Sequence, residues 1–338
     1  MIIQSTFTPP RWLRNPHVQT IWPLLFRAKN TLTYDKQRLE LPDGDFVDIF
    51  WCEPQNSSST SSHIPSHLPS DKKSQPIVIV SHGMGGCFES HYIPGLIKSL
   101  LRENYRIAFL HARGCSGEPN RLPVSFHAAD TSELNHLVAC IKTQYPEAPL
   151  AAVGFSLGGS VLLKWLAETS SQQLLNAATA LSVPFELSAT AETLNQGFSL
   201  IYQSYLLKRL KYLAIEKSHF HPAPLSISKI KSVKSLRDYD DKMTAKINGF
   251  GDVDTYYRIA SCRQYLADIQ TPTLIINAVD DPFVPQHSLP TDHELGSGVT
   301  LELSALGGHV GFLQSAFQDK RFFYQRVPQY LRSYLVVK

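Results

Sequence analysis

Three short runs stand in order along the 338 residues: Gly154-Phe155-Ser156-Leu157-Gly158, Asp280-Asp281-Pro282-Phe283-Val284-Pro285 and Gly307-Gly308-His309-Val310-Gly311. Together they hold the parts for nucleophilic acyl chemistry. A serine hydroxyl is a weak nucleophile at neutral pH and needs a base within hydrogen-bond reach. The G-x-S-x-G run follows an apolar stretch, LAAVGF, and precedes a helical one, SVLLKWLAE. A turn that sharp lifts the Ser156 hydroxyl above a sheet edge and strains its backbone, while the flanking glycines let neighbouring main chain approach. An acid and then a histidine follow, each after an apolar run, in the order such a site requires. Asp281, directly before Pro-x-x-Pro, is the preferred acid, with Asp280 the alternative one position away. His309 would take the Ser156 proton and return it to the leaving group, and the carboxylate would fix the imidazole tautomer.

Negative charge developing on a carbonyl oxygen needs preorganised N–H donors. The backbone of Leu157, one residue past the nucleophile, is the first expected donor. Met84 is the second, in the loop His82-Gly83-Met84-Gly85-Gly86 that follows the apolar run IVIVS. That glycine-rich loop lacks the G-x-x-x-x-G-K-[ST] and G-x-G-x-x-G patterns of phosphate cradles. No H-E-x-x-H occurs, His63 and His67 lie in a Ser-rich stretch, and His219 and His221 merely flank Phe220. No metal and no cofactor is therefore expected.

The elements that must position these residues are apolar runs alternating with helix-period segments. Ile77–Ser81, Tyr105–Ala112, Leu150–Phe155, Ala178–Val183, Thr273–Val279 and Val299–Leu306 are apolar throughout, as strands covered on both faces are. Leu134, Leu137, Val138 and Ile141 recur at helical spacing after Thr131, read as a cap, and a second such helix is expected over Lys320–Val337, with Pro328 placed to kink it. The alternation predicts a mostly parallel, doubly wound α/β sheet whose chemistry gathers at the carboxyl ends of its strands. One domain over 1–338 is expected, with two interruptions. Residues 55–75 are Ser-rich and read as a flexible surface loop. Residues 184–263 contain no clear strand and read as a helical cap insertion over the sheet edge. Within the cap, residues 208–246 carry ten Lys and Arg against four Asp and Glu. A solvated face is the plain expectation, and peripheral contact with an anionic membrane the sharper one.

A net charge of +3 is too small to argue for nucleic acid. Cys52, Cys87, Cys115, Cys140 and Cys262 are odd in number with no C-x-x-C pair, which favours reduced thiols. The amino terminus lacks a signal-peptide core and no apolar run is long enough to span a bilayer, so a cytoplasmic protein is expected.

Further motifs give the sequence a family likeness. Phe7-Thr8-Pro9, Asn15-Pro16-His17-Val18-Gln19-Thr20, the His82–Gly86 loop, Arg113-Gly114-Cys115-Ser116-Gly117-Glu118-Pro119-Asn120, and Asp240-Asp241 with Gly249-Phe250 and Tyr256-Tyr257 in the cap span nearly the whole chain. In these the sequence resembles the YheT-like esterases, the group 4 branch of the α/β-hydrolase superfamily. The resemblance implies an α/β-hydrolase fold and a catalytic triad on Ser156, Asp281 and His309. It also implies hydrolysis of carboxylic esters, on short- to medium-chain acyl esters or acylglycerol-type lipids. Eukaryotic members carry a membrane anchor that this sequence lacks, and the Ser-rich loop looks like an addition. The RGCSGEPN segment is expected to pack beside the active site. A thioesterase, acyltransferase or amidase would use the same triad; a non-catalytic binding protein would have no need of one. The expected partner is a small-molecule ester or lipid, and no protein partner follows from the sequence.

Overall fold

The computed structural model describes residues 1–25, 30–54, 73–221 and 226–336. Residues 55–72 of the Ser-rich stretch, with His63 and His67, lie outside the described residues. In chain order the elements are β1 (Ile2–Gln4), α1 (Pro16–Leu25), β2 (Asp35–Glu40), β3 (Phe46–Cys52), β4 (Ile77–Ser81), α2 (Ile93–Arg102), β5 (Arg106–Leu110), α3 (Ser132–Gln144), β6 (Leu150–Phe155), α4 (Leu157–Glu168) and β7 (Ala177–Leu181). There follow α5 (Leu187–Leu194), α6 (Leu200–Ser218), α7 (Ile227–Ser232), α8 (Leu236–Tyr239), α9 (Val253–Ala260), β8 (Thr273–Ala278), β9 (Val299–Ser304) and α10 (Phe323–Arg332).

The strands form one nine-stranded sheet in the order β1-β9-β8-β7-β6-β4-β5-β3-β2. All neighbours are parallel except β5–β3 and β3–β2. Strands β5 to β8 are buried at every position, because α2 and α10 cover one face and α3 and α4 the other. Trp165, Phe109, Phe155 and Phe323 are fully buried between these layers, each contributing about 1.5–3 kcal/mol by leaving water. This is the mostly parallel α/β sheet expected from the apolar runs.

The three amino-terminal strands are absent from the sequence reading, for a physical reason. β2 is exposed or half-buried, and β3 buries Asp48 among its apolar residues. Asp48 is held by Lys36, Arg38 and Ser116, which is what lets a carboxylate sit in a strand interior. β1 adds to the far edge beside β9, with Ile3 opposite Glu302. Two local expectations are corrected. Thr131 makes no cap bond to α3; its hydroxyl donates to Glu168, and Asp130 receives the Ser132 N–H instead. The carboxyl-terminal helix is α10 alone, ten residues long with Pro328 inside it.

Between β7 and β8 the chain leaves the sheet and is helical from α5 to α9. Ser226, Ser235 and Asp252 cap α7, α8 and α9 through their side chains. These helices close over the carboxyl edge around a small core of Tyr202, Leu207, Ile230, Leu236 and Met243. Cap and sheet are tied at Ser199 Oγ to the Pro282 carbonyl (2.9 Å) and at Ala128 N–H to Tyr256 Oη (3.1 Å). The five cysteines are unpaired. No helix among the described residues is long and apolar enough to cross a membrane.

Candidate active site

At the end of β6 the chain turns abruptly into α4, and Ser156 sits on the corner at φ 49°, ψ −121°. For a residue with a Cβ this conformation costs on the order of 1–3 kcal/mol, so its surroundings must hold it. They do so from both sides: Ser156 N–H donates to Leu181 O of β7 (2.8 Å), and Ser156 O accepts the first helical bond from Ser160 (3.1 Å). The two glycines of the run are needed for space. A Cβ on Gly154 would lie 2.6 Å from the Gly158 carbonyl oxygen, and one on Gly158 would lie 2.3 Å from that of His82.

Asp281 and His309 reach this corner from the ends of β8 and β9. His309 Nε2 lies 3.0 Å from Ser156 Oγ, and His309 Nδ1 lies 2.8 Å from Asp281 Oδ2. Asp281 is itself fixed by its turn, since its other oxygen accepts the Phe283 N–H at 2.8 Å. Asp280 points elsewhere: its Oδ1 accepts the Gly308 N–H at 2.9 Å, and burial pushes its carboxyl up to about 6. The neighbouring carboxylates therefore hold different parts of one loop, Asp281 the ring of the histidine and Asp280 the backbone before it. Phe283, from the same turn, lies flat on the imidazole with ring centroids 3.9 Å apart and planes 3° from parallel.

The histidine loop is strained. Gly308, Val310 and Phe312 all have positive φ, and at Val310 a β-branched side chain makes that costly. Val310 N–H donates to Ser182 Oγ (3.0 Å), and the Val310 carbonyl accepts from buried Arg321 (3.0 Å). His309 N–H donates to Thr20 Oγ1 (3.0 Å), and Leu313 N–H to Gln19 Oε1 (2.7 Å). Gly308 is pressed so close to α1 that a Cβ would lie 2.5 Å from the Pro16 carbonyl oxygen. The N-P-H-V-Q-T motif thus grips the loop that carries the histidine. Sequence reasoning did not find this role. No local signal marks it: Gln19 and Thr20 are polar residues buried on a short helix, and only their distant partners give them a role.

Met84 and Leu157 also border the space above Ser156. Among the described residues neither backbone N–H has a hydrogen-bond partner, as vacant donors would. The loop holding Met84 is a turn closed by Gly86 N–H to Gly83 O (3.0 Å), with Gly85 at φ 61° in the third position, where glycine is favoured. Buried His82 braces it. Desolvation lowers the imidazole to about 4, so the ring is neutral at physiological pH. A neutral ring fits its contacts: Nε2 accepts the Ala112 N–H (3.2 Å) and Nδ1–H donates to Gly83 O (2.7 Å). Arg209 of α6 donates its Nε–H to Gly85 O (3.2 Å) from the cap.

Ser156 and His309 open on a cavity of about 470 Å³ between the sheet edge and the cap. Its walls are largely apolar, with Leu187, Ala191, Leu194 and Leu206 from the cap. Leu24, Ile201 and Tyr205, all exposed, stand at its border. The RGCSGEPN segment lies to one side and bounds a second, smaller cavity. It is fastened to the β2–β3 connection and to α3: Arg113 pairs with Asp43 (2.7 Å), Asp45 (3.1 Å) and, on α3, Glu133 (2.8 Å), and Asn120 donates to Asp45 (2.6 Å). Among the described residues no group of three or more His, Cys, Asp or Glu side chains is placed to hold a metal ion.

Comparison with known proteins places these observations in a wider set. Residues 76–316 match the family model described as alpha/beta hydrolase fold. The chain is 37% identical over 337 residues to "Putative esterase YheT" of Escherichia coli (strain K12), covering 99% of this chain and 95% of that one. It is 28% identical over 328 residues to phospholipase ABHD3 of Mus musculus, covering 96% of this chain and 78% of the relative. Among solved structures, an esterase of Pyrococcus furiosus, Pf2001, shares the fold with a TM-score of 0.56 at 17% identity, over 97% of this chain and all of that one.

Proposed function

Since the chain belongs to the α/β-hydrolase fold family, in its YheT-like branch, we propose that it is a serine carboxylic-ester hydrolase working through an acyl-enzyme on Ser156. The observation that carries this reading is the continuous chain Asp281–His309–Ser156, with bonds of 2.8 and 3.0 Å, beside two backbone N–H groups without partners.

The steps follow from that geometry. Ser156 Oγ attacks the ester carbonyl carbon while His309 Nε2 takes its proton. Asp281 accepts the Nδ1–H bond, which leaves Nε2 as the free base and then steadies the imidazolium. The carbonyl oxygen becomes an oxyanion between the N–H groups of Met84 and Leu157. These are in place before the reaction, so little reorganisation is needed as charge develops. Collapse expels the alcohol, protonated by His309, and leaves Ser156 acylated. Water, deprotonated by His309, attacks the acyl carbon, and the acid departs as Ser156 recovers its proton.

The apolar cavity supports short- to medium-chain acyl esters or acylglycerol-type lipids as substrates. A relative named for phospholipase activity points the same way. The test is labelling with a fluorophosphonate probe alongside p-nitrophenyl ester turnover. Wild type is expected to label and turn over. Ser156→Ala is expected to remain folded, resist the probe and lose kcat by about 10⁶-fold. A folded Ser156→Ala protein keeping a tenth of the activity would overturn the assignment.

A further inference from the structure

The second cavity, of about 210 Å³, is bordered by Met84 and Gly85 of the oxyanion loop and not by His309. Met84, Gly85, Leu157, Arg209, Asp240 and Tyr256 border both spaces, so the cavities adjoin across that loop. The cations facing the smaller one differ in how fully they are engaged. Arg113 is committed to Asp43, Asp45 and Glu133. Lys217 is not. It is 6% exposed, and its ammonium donates to the Val124 carbonyl oxygen and to no carboxylate among the described residues. The carboxylates that act on it most, Asp45 and Glu133, are already held by Arg113. Arg209 spends only its Nε–H, on Gly85 O, and the outer fork of its guanidinium has no acceptor among the described residues.

A buried ammonium with one of three donors satisfied is costly unless an anion completes its shell. Burial lowers Lys217 to about 8, which leaves it mostly charged at neutral pH. Three further carboxylates border the cavity. Glu118 is paired with Arg38 (2.6 Å). Asp240 is engaged by Thr244 (2.7 Å) and Tyr257 (2.8 Å), and burial pushes its carboxyl up to about 6. Glu216, half-buried next to Lys217 on α6, borders the cavity without pairing with that ammonium.

We propose that this cavity is an anion subsite, in which Lys217 and the fork of Arg209 receive a carboxylate or phosphate carried by one arm of the ester that Ser156 attacks. The proposal rests on the serine-esterase reading and adds a substrate feature to it. A charge-assisted, bidentate contact of this kind selects for the anion over a neutral group of the same length.

Two substrate pairs locate the charge. For the acyl arm, the p-nitrophenyl monoester of suberic acid is compared with p-nitrophenyl octanoate. For the alcohol arm, 1-butyrylglycerol 3-phosphate is compared with 1-butyrylglycerol. In wild type one pair is expected to favour the anion in kcat/KM by about 10- to 100-fold. Lys217→Met should bring that ratio close to one and Lys217→Arg should restore it. Because the readout is a ratio within each variant, a general loss of activity does not imitate the effect. Calorimetric affinity of Ser156→Ala protein for the uncleaved esters, with and without Lys217→Met, gives the same comparison without turnover. Should Lys217→Met fail to fold, Arg209→Gln carries the ratio test. No anion preference in wild type for either pair, or a preference that survives these substitutions, overturns the subsite. Absence of fluorophosphonate labelling and of all ester turnover overturns the esterase reading instead, and leaves the calorimetry to judge the subsite.

Discussion

The floor and the roof of the large cavity are built on opposite terms. On the floor, at the strand ends, the groups that fix Ser156 and His309 in place are spoken for: Asp281 by His309 and its own turn, Val310 by Ser182 and Arg321, the His309 amide by Thr20. The roof is left open. Arg209 keeps donors to spare, and Ile201 and Tyr205 are more than half exposed on α6. On the proposed reading a nucleophile and a base must hold their geometry in every turnover, which accounts for supports that are over-determined even at the cost of strained backbone. Substrate selection tolerates slack, and a helical cap can vary its side chains without disturbing the floor.

The sharpest way to break this contrast is to disturb the floor by single atoms. Asp281→Asn is expected to lower kcat by about 10⁴-fold, because an amide there stabilises the wrong tautomer of His309. Asp280→Asn should cost far less, since an amide oxygen can still accept the Gly308 N–H. Steady-state kinetics of the two variants decide the matter. If Asp280→Asn were the more damaging, the histidine would depend on its backbone support more than on its acid.

A middle-sized effect is expected at the junction of floor and roof. Phe283 stacks on His309 and packs at 5.0 Å against Tyr202 of the cap, whose hydroxyl meets His17 at 2.9 Å. An aromatic face attracts the cation that the imidazole becomes, by about 0.5–2 kcal/mol. Phe283→Leu should therefore lower kcat by roughly tenfold, more than it raises KM, with Phe283→Tyr restoring the rate. Equal changes in kcat/KM and KM would make Phe283 a wall of the cavity and nothing more.

The smallest steps belong to the roof. Each acyl methylene buried against Leu187, Leu194 and Leu206 adds about 0.8 kcal/mol, roughly a fourfold gain in kcat/KM, until the space is full. A p-nitrophenyl ester series should rise from acetate to medium chains and then fall, and Leu206→Trp should move the maximum toward shorter chains. A wild-type series that peaks at acetate would mean that the roof does not receive the acyl chain.

The same contrast governs what can be read from sequence. The elbow is legible because its apolar strand, its glycines and its helix all lie within about fifteen residues of Ser156, and each has a local steric reason. Asp281 and His309 follow from their places at strand ends. The supports are not legible, because they join distant parts of the chain: Thr20 meets the His309 amide across 289 positions and Gln19 meets Leu313 across 294. β2 and β3 escaped for another reason. A strand that buries Asp48 does not look apolar until Lys36, Arg38 and Ser116 are seen around it. Phe283 and Lys217 are ordinary as residue types, and only their neighbours give them meaning.

The grip of α1 on the histidine loop also bears on how the protein is made. Thr20 leaves the ribosome 289 residues ahead of the amide it will hold. At ordinary synthesis speeds that interval is roughly 15 to 60 s. On the proposed reading, Ser156 spends the last 153 positions of that interval on a growing chain without His309. Without that base its hydroxyl is an ordinary alcohol and a weak nucleophile toward esters. On that reading the nucleophile is armed only when the segment carrying His309 folds back onto α1.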